Sequence, residues 1–419
     1  MNVFSLSIFG IGTIIGAGIY SVTGIAYGHA GGTLWISFIL AGFAAVCTAF
    51  SYCELSTMYP SAGAEYIYIR NAFPKIPYLS FIMAMMLFFG GAAISSTVAL
   101  AFAGYLQFFI NVPIYLVAIG LMLICTLINN YGIEQSNRVN ILFTFIELIG
   151  ILLIIWVGFN LNGPVSKPIF NIHKGTLIAT SLIFFIYLGF EEIVNLSEEA
   201  RDPSRDIPKA IFFSLGITTV LYLAVSFAVI RLIRPEVLVL SRSPLADAVS
   251  NAAPSLSRVM AGIALFSTAN TVLITMLVLS RMVFSMGREG DLPRFLGKVH
   301  SSHMIPHIAS FFVLVISCGF LYLKNLEMLV SFSSFATLVA FISVNIVLIV
   351  LRYTKSHLKR PYLIPLNIGS FPLISFLGIL ICLVMCMQFE VIIYVTALLI
   401  VLISSGYYWG IRLYANLKK

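Results

Sequence analysis

Charged side chains are scarce in this sequence. Only 10% of its 419 residues are Asp, Glu, Lys or Arg, whereas 60% are hydrophobic and the mean hydropathy is +1.02. Soluble domains carry about 25% charged residues, so this composition excludes a soluble globular protein and indicates an integral membrane protein. The net charge of +8 comes from basic residues dispersed over short loops, whereas nucleic-acid-binding proteins gather theirs in one patch. We therefore expect no nucleic-acid partner.

Residues that usually carry metal or catalytic chemistry are also few. The six cysteines all lie in apolar segments, where buried thiols are expected rather than disulfides or metal ligands. His300, His303 and His307 are spaced by three and four residues, but Pro306 interrupts the helix that a metal site would need. The sequence also contains no intramembrane Ser/His or paired-Asp arrangement. We therefore expect no metal, no cofactor and no enzymatic activity.

Long apolar runs, by contrast, fill the chain. A helix needs about 20 apolar residues to cross a bilayer, and we count twelve runs of nearly this length or more. Their residues are 3–27, 33–58, 75–108, 113–131, 138–159, 175–197, 207–232, 256–286, 307–323, 327–351, 371–389 and 391–414. The connections are short, which predicts a single transmembrane domain over 1–419. No basic region precedes the first run, so we expect no cleavable signal peptide.

Basic residues distribute unevenly between alternate loops. If the first run starts on the cytoplasmic side, 17 of the 24 Lys and Arg residues lie in cytoplasmic segments. Basic residues favour the cytoplasmic face of a membrane protein. The bias predicts that both termini are cytoplasmic, in a multi-pass protein of the plasma membrane that contacts lipid.

The first apolar run contains four glycines within nine residues, Gly10, Gly12, Gly16 and Gly18. Glycine weakens a helix, and irregular backbone inside a membrane is tolerated only where it faces protein or a water-filled cavity. One interpretation is a helix interrupted near Gly16, whose exposed amides bind a substrate. The alternative is close helix packing through small residues.

The sixth run places Gly189 directly before Phe190, Glu191 and Glu192. Buried carboxylates are costly in a membrane, but a break near residues 188–190 would put them at the start of a new half-helix, where the helix dipole favours negative charge. The alternative is a solvated position at the membrane interface. Two interrupted helices five spans apart run in opposite directions, which is typical of the inverted repeats of secondary transporters.

Four motifs together resemble the amino acid–polyamine–organocation (APC) superfamily of permeases. They are Gly16-Ala-Gly-Ile-Tyr20, Glu54-Leu with Tyr59-Pro-Ser-Ala-Gly-Ala-Glu-Tyr66, Phe184–Glu191 with Glu198–Pro208, and Ser280–Pro293. The resemblance implies an all-α membrane fold of twelve transmembrane helices. It has two inverted five-helix repeats (residues 3–160 and 174–352), discontinuous helices 1 and 6, and two extra helices in 371–415.

The resemblance also implies a binding site between helices 1, 3, 6 and 8 for an amino acid or related amine. We expect the amides of Gly16, Ala17 and Gly18 to bind the substrate carboxylate. Carbonyl groups near Ile14, Ile15, Phe185 and Ile186 would then bind its ammonium. Tyr187 and Phe190 either close over the substrate or serve only as packing residues. The remaining candidates are Ile19, Ser95, Gly189, Glu191, Thr268, Asn270 and Ile274, of which the polar helix 3 and 8 residues can equally hold helices together.

Glu147 is the only ionisable residue in 139–159. Several proton-coupled and cationic amino acid permeases of the superfamily carry a lysine at the matching place in helix 5, so the coupling mechanism of those proteins does not transfer directly. We expect Glu147 to bind the coupling proton, with Thr268 nearby; the alternative is a structural ion pair or hydrogen bond. Glu191 is the second candidate, and it could instead attract a basic substrate side chain. We interpret Glu54 as structural.

The sequence thus predicts a proton-coupled amino acid symporter that works by alternating access. The alternatives are an amino acid or amine exchanger and a sodium-coupled carrier in which Glu147 helps to bind the cation. A receptor that binds amino acids without transporting them is the alternative from another functional class.

Overall fold

The computed structural model describes residues 1–60, 64–130, 133–160, 166–299, 306–323 and 325–417, without side-chain detail for 133–142, 198 and 411–417. His300 and His303 lie outside these residues. The helices are α1 (Val3–Ile15), α2 (Gly18–Ala30), α3 (Leu34–Met58), α4 (Ala64–Ala72), α5 (Pro77–Leu106), α6 (Ile114–Asn129), α7 (Ile133–Asn160), α8 (Lys174–Ile183), α9 (Glu192–Asn195), α10 (Pro203–Leu232), α11 (Pro235–Leu238), α12 (Pro244–Ala252), α13 (Pro254–Glu289), α14 (His307–Phe320), α15 (Leu326–Thr354), α16 (Leu373–Cys386) and α17 (Val391–Leu417). Two short strands, β1 (Asn367–Ile368) and β2 (Phe371–Pro372), pair antiparallel.

Most of these helices are long and apolar. Within the described residues, eight helical segments have the length and composition to cross a membrane, and four shorter apolar helices accompany them (Val3–Ile15, Ile114–Asn129, His307–Leu323 and Leu373–Cys386). Most of them overlap one predicted apolar run each, but the segment Gly18–Met58 joins the end of the first run to the second. The chain is a multi-pass membrane protein.

The first apolar run forms two helices rather than one. α1 ends at Ile15. The last hydrogen bond of this helix runs from the Gly16 amide to the Gly12 carbonyl, 3.2 Å away. α2 starts two residues later at Gly18. The interruption therefore lies at Gly16 and Ala17, as the glycine spacing predicts.

The sixth run is interrupted as well. α8 ends at Ile183 and passes into a 3₁₀ turn over Phe184–Tyr187, after which Leu188 is extended and Gly189 has φ +116°. The half-helix expected after the break is short: α9 is one turn, followed by a 3₁₀ turn over Ser197–Glu199. Glu191 precedes α9 as its N-cap residue and Glu192 is its first residue.

The helices pack in a pattern that is nearly symmetric between the two halves of the chain. α3 packs against α10, and α5 packs against α13. α7 lies against α10 and α13, while α15 lies against the corresponding α3 and α5. α16 and α17 then pack on the outside, against α3, α5 and α15.

One face of the bundle, which we call the amino-terminal side, gathers residue 1 and the loops that follow α3, α9, α13 and α15. Contacts that join these loops include the Arg201 amide with the Met1 carbonyl (2.8 Å) and the Tyr66 hydroxyl with Asp291 (2.9 Å). Burial and the hydrogen bond to Asp291 raise the pKa of Tyr66 to about 12. This side therefore holds its loops together with polar contacts between distant parts of the sequence.

Glu54 is the centre of a buried ion cluster on the amino-terminal side. It accepts hydrogen bonds from Arg352 Nε (3.0 Å), Arg360 Nη1 (3.0 Å) and the Ile364 amide (3.1 Å), and it has no exposed surface. The cluster fixes the end of α3 to the end of α15 and to the following loop, which supports the structural interpretation of Glu54.

Candidate functional site

The two helix interruptions contact each other in the middle of the bundle. A Cβ atom added to Gly18 would lie 3.0 Å from Ile186 Cα. The Thr13 hydroxyl also lies 3.1 Å from the Gly189 carbonyl, as it does from the Phe9 and Gly10 carbonyls of its own helix. An added Cβ would be tighter here than nearly all real Cβ contacts, so a glycine favours this close approach of α2 to the 3₁₀ turn. The glycines therefore define one structural centre, although they are about 170 residues apart in the chain.

The start of α2 offers free backbone amides, but not all of those that the sequence predicts. The Gly16 amide donates to Gly12, and the Ala17 amide donates to the Thr271 hydroxyl (2.9 Å). Ser21 is the first residue whose amide donates within α2, to the Ala17 carbonyl. The donors at this helix N-terminus are thus the amides of Gly18, Ile19 and Tyr20. The amides of Gly16 and Ala17 already have acceptors within the protein in this conformation, and their binding to a substrate carboxylate stays a prediction.

The carbonyl groups released by the two breaks are occupied by a side chain that the sequence did not indicate. The Tyr222 hydroxyl of α10 lies 2.6 Å from the Ile14 carbonyl and 3.2 Å from the Ile186 carbonyl. The Phe185 carbonyl accepts from the Leu188 amide at 3.4 Å. Because a hydroxyl has one proton, Tyr222 can donate to only one of its two carbonyls at a time. In this conformation it occupies the place predicted for the substrate ammonium.

The aromatic residues of the sixth helix mostly pack against neighbouring helices. Tyr187 is fully buried and donates its hydroxyl to the Phe38 carbonyl (3.0 Å) on α3. Phe190 makes edge contacts with Tyr52 and Phe341. These contacts favour the packing interpretation of Tyr187 and Phe190, whereas Phe185 lies beside Gly18 at the interruption.

The candidate site residues on α5 and α13 differ in the groups that they contact. Ser95 and Thr268 donate their hydroxyls to carbonyls of their own helices, at 3.2 Å and 2.7 Å. Asn270 reaches Glu147, and Ile274 is partly exposed. The residue of α13 that contacts the first interruption is Thr271, which lies three positions from both Thr268 and Ile274. That helical spacing could have indicated it.

Glu147 is fully buried on α7, next to the first interruption. Its Oε1 faces Asn270 Nδ2 at 3.4 Å, and its backbone carbonyl accepts the Tyr20 hydroxyl at 2.8 Å. The Ser267 hydroxyl lies beside the carboxylate, but Oε2 has no hydrogen-bond partner in the described part of the chain. A buried carboxylate without a counter-charge is unfavourable when ionised. This arrangement favours binding of a proton or a small cation.

Exposure differs on the two sides of the interruptions. Ile14 to Thr23 and Phe184 to Tyr187 are buried, whereas Thr13, Leu188, Gly189 and Glu191 are partly exposed. Glu191 turns back to accept the Gly189 amide at 2.9 Å. The centre is thus closed towards α2 and α8 and more exposed on the amino-terminal side.

Comparisons with known proteins agree with this architecture. The family model described as amino acid permease matches residues 1–407. The chain is 30% identical to a methylthioribose transporter of Bacillus subtilis, covering 90% of this chain and 86% of that protein. It is 29% identical to a branched-chain amino acid permease of the same species (91% and 86% covered) and to cationic amino acid transporter 4 of Mus musculus (85% and 60% covered). All of these relatives are transporters rather than enzymes. The match along nearly the whole chain shows that this protein belongs to the amino acid permease family, as its resemblance to the APC superfamily implied.

Proposed function

We propose that this protein is a secondary transporter of amino acids that binds its substrate between the two helix interruptions. One observation carries the proposal: the N-terminal amides of α2 meet the broken sixth helix in the middle of an otherwise apolar bundle. Free amides and the helix dipole attract a carboxylate, and released carbonyl groups attract an ammonium. Tyr222 would exchange its hydrogen bonds with the incoming ammonium. The permease and transporter relatives support the same substrate class.

The proposed fold contains twelve membrane spans, with α1 and α2 counted as the first and α8 and α9 as the sixth. The packing of α3 on α10 and of α5 on α13 pairs helices five spans apart, which supports two inverted repeats over residues 3–160 and 174–352. α16 and α17 are the additional spans. We place the amino-terminal side in the cytoplasm and the protein in the plasma membrane, because the basic residues concentrate on that side.

We propose that Glu147 couples substrate transport to the movement of a proton. The carboxylate would take up a proton when the substrate binds and release it on the other side, since burial favours its neutral form. A sodium ion held by Glu147 with the hydroxyl groups of Ser267 and Thr268 is the second candidate, and exchange without a coupling ion is the third.

Uptake into proteoliposomes tests transport and coupling together. We expect accumulation of one or more radiolabelled amino acids driven by an imposed pH gradient. Glu147→Gln should abolish accumulation but retain counterflow exchange, because the amide can keep its hydrogen bond to Asn270 and cannot carry a proton. Uptake that follows sodium and ignores the pH gradient would refute proton coupling. Binding without uptake would favour a receptor instead.

A further inference from the structure

An apolar groove, which we call the α7 groove, lies between α7 and the start of α13. Its volume is about 460 Å³, and it is lined by Ile149, Leu152, Leu153, Trp156 and Leu256. Ile149, Leu152 and Trp156 are each about half exposed. The four lining residues of α7 recur every three or four positions, so they form one stripe along that helix. The groove is therefore on the surface of the bundle, where a membrane protein meets lipid.

The stripe has the length of one lipid leaflet. It continues to Phe159 in the last turn of α7, and from Ile149 to Phe159 the helix rises about 15 Å. This is about half of the ~30 Å hydrocarbon thickness of a bilayer. α10 starts on the amino-terminal side, and its last turn contacts the last turn of α7. The stripe thus ends at the opposite face of the membrane, with Trp156 near the depth where aromatic residues meet lipid headgroups.

A guanidinium group lies at this end of the stripe. Arg231, in the last turn of α10, donates from Nε to the Gly158 carbonyl at 2.8 Å, and its Cζ lies 5.6 Å from the centre of the Phe159 ring. The side chain is partly exposed. Within the described residues, no carboxylate pairs with Arg231 and its four other N–H groups have no acceptor. Contacts with α7 therefore hold the guanidinium in place and leave these donors to a ligand.

These two features together match the chemistry of an anionic phospholipid. A guanidinium is a planar fork of donors that fits the oxygens of a phosphate, and the apolar stripe fits an acyl chain. Residues 231–258, which follow on the same face, contain four arginines but only two acidic residues. The surroundings of Arg231 thus favour a headgroup with a net negative charge over a zwitterionic one.

We propose that Arg231 and the α7 groove bind one anionic phospholipid, with its phosphate on the guanidinium and an acyl chain along the stripe. A lipid bound in this way connects the end of α10 to α7 and α13. Glu147 lies two residues before Ile149 on α7, and Tyr222 lies on α10. The lipid therefore links helices that contribute residues to the central site, but its binding does not depend on which substrate that site takes.

Quenching of Trp156 fluorescence by brominated lipids tests the site, because the chain has only three tryptophans. The full chain with Trp35→Phe and Trp409→Phe is placed in phosphatidylcholine vesicles that contain increasing shares of phosphatidylglycerol, with bromine on the acyl chains of one lipid or the other. We expect phosphatidylglycerol to bind at Trp156 about fivefold more tightly than phosphatidylcholine.

Arg231→Gln in the same background should remove most of this preference, because it removes the charge that binds the phosphate. Arg258→Gln is the matched control and should keep the preference. Arg258 is also an exposed arginine near this face, but it lies two positions after Leu256 and so points away from the groove side of α13.

Equal quenching by the two brominated lipids would mean that the groove holds ordinary boundary lipid only, and it would overturn the proposal. Absence of quenching by either lipid would mean that protein covers the groove, with the same consequence. If Arg231→Gln does not fold, the salt dependence of the double Phe variant decides. High salt should weaken the preference for phosphatidylglycerol, since it screens a partly exposed charge pair, and a preference that salt leaves unaltered would contradict the role of Arg231. None of these measurements involves uptake, so their outcome leaves the transport proposal unaffected.

Discussion

Gly189→Ala tests whether the second interruption depends on a glycine. Gly189 has φ +116°, and an added Cβ would lie 2.6 Å from the Thr13 carbonyl oxygen and 2.8 Å from its carbonyl carbon. The unfavourable backbone conformation costs about 1–3 kcal/mol, and separating the two breaks would lose the Thr13–Gly189 hydrogen bond, worth about 1 kcal/mol. Together these effects destabilise the closed arrangement by about 3 kcal/mol, or roughly a hundredfold in population.

Thermal unfolding in detergent and initial rates of uptake measure this effect. We expect Gly189→Ala to lower the unfolding midpoint and to slow uptake at least tenfold. Gly262→Ala is the control, because that glycine lies inside α13 with no atom within 4 Å of an added Cβ. Replacing a helical glycine by alanine stabilises by about 0.5–1 kcal/mol, so the control should keep its activity and a midpoint at least as high. A Gly189→Ala variant as stable and active as Gly262→Ala would refute the reasoning.

Two further predictions concern side chains that hold the centre or fix the helices around it. Tyr222→Phe removes the hydroxyl shared by two buried carbonyls, which should cost about 1–3 kcal/mol and raise the Michaelis constant or slow turnover in the uptake assay; unaltered kinetics would contradict the role given to Tyr222. Glu54→Gln leaves Arg352 and Arg360 buried without their counter-charge and should destabilise by about 3–5 kcal/mol in thermal unfolding. Glu289→Gln, which breaks a half-exposed 3.7 Å pair with Arg70, should cost less than about 1 kcal/mol; similar losses in the two variants would argue against the buried cluster.

The sequence by itself determined the class of protein and the places where helices are interrupted. Composition and the length of apolar runs indicate membrane helices because a bilayer requires about 20 apolar residues per crossing. The interruptions at Gly16–Ala17 and around Gly189 follow from local chemistry, since glycine and adjacent carboxylates are unfavourable in a continuous membrane helix. Glu147 stands out in the sequence for the same reason.

Only the tertiary structure decided which groups meet at these interruptions. Tyr222 and Thr271 occupy backbone groups that the sequence analysis assigns to the substrate. The sequence does not show which side of a helix such as α5 faces the centre. α5 is apolar on nearly every side, so it has no polar face from which its rotation could be predicted. A glycine limits the backbone within its own turn, whereas a hydroxyl finds its acceptor only after helices more than 200 residues apart have packed together.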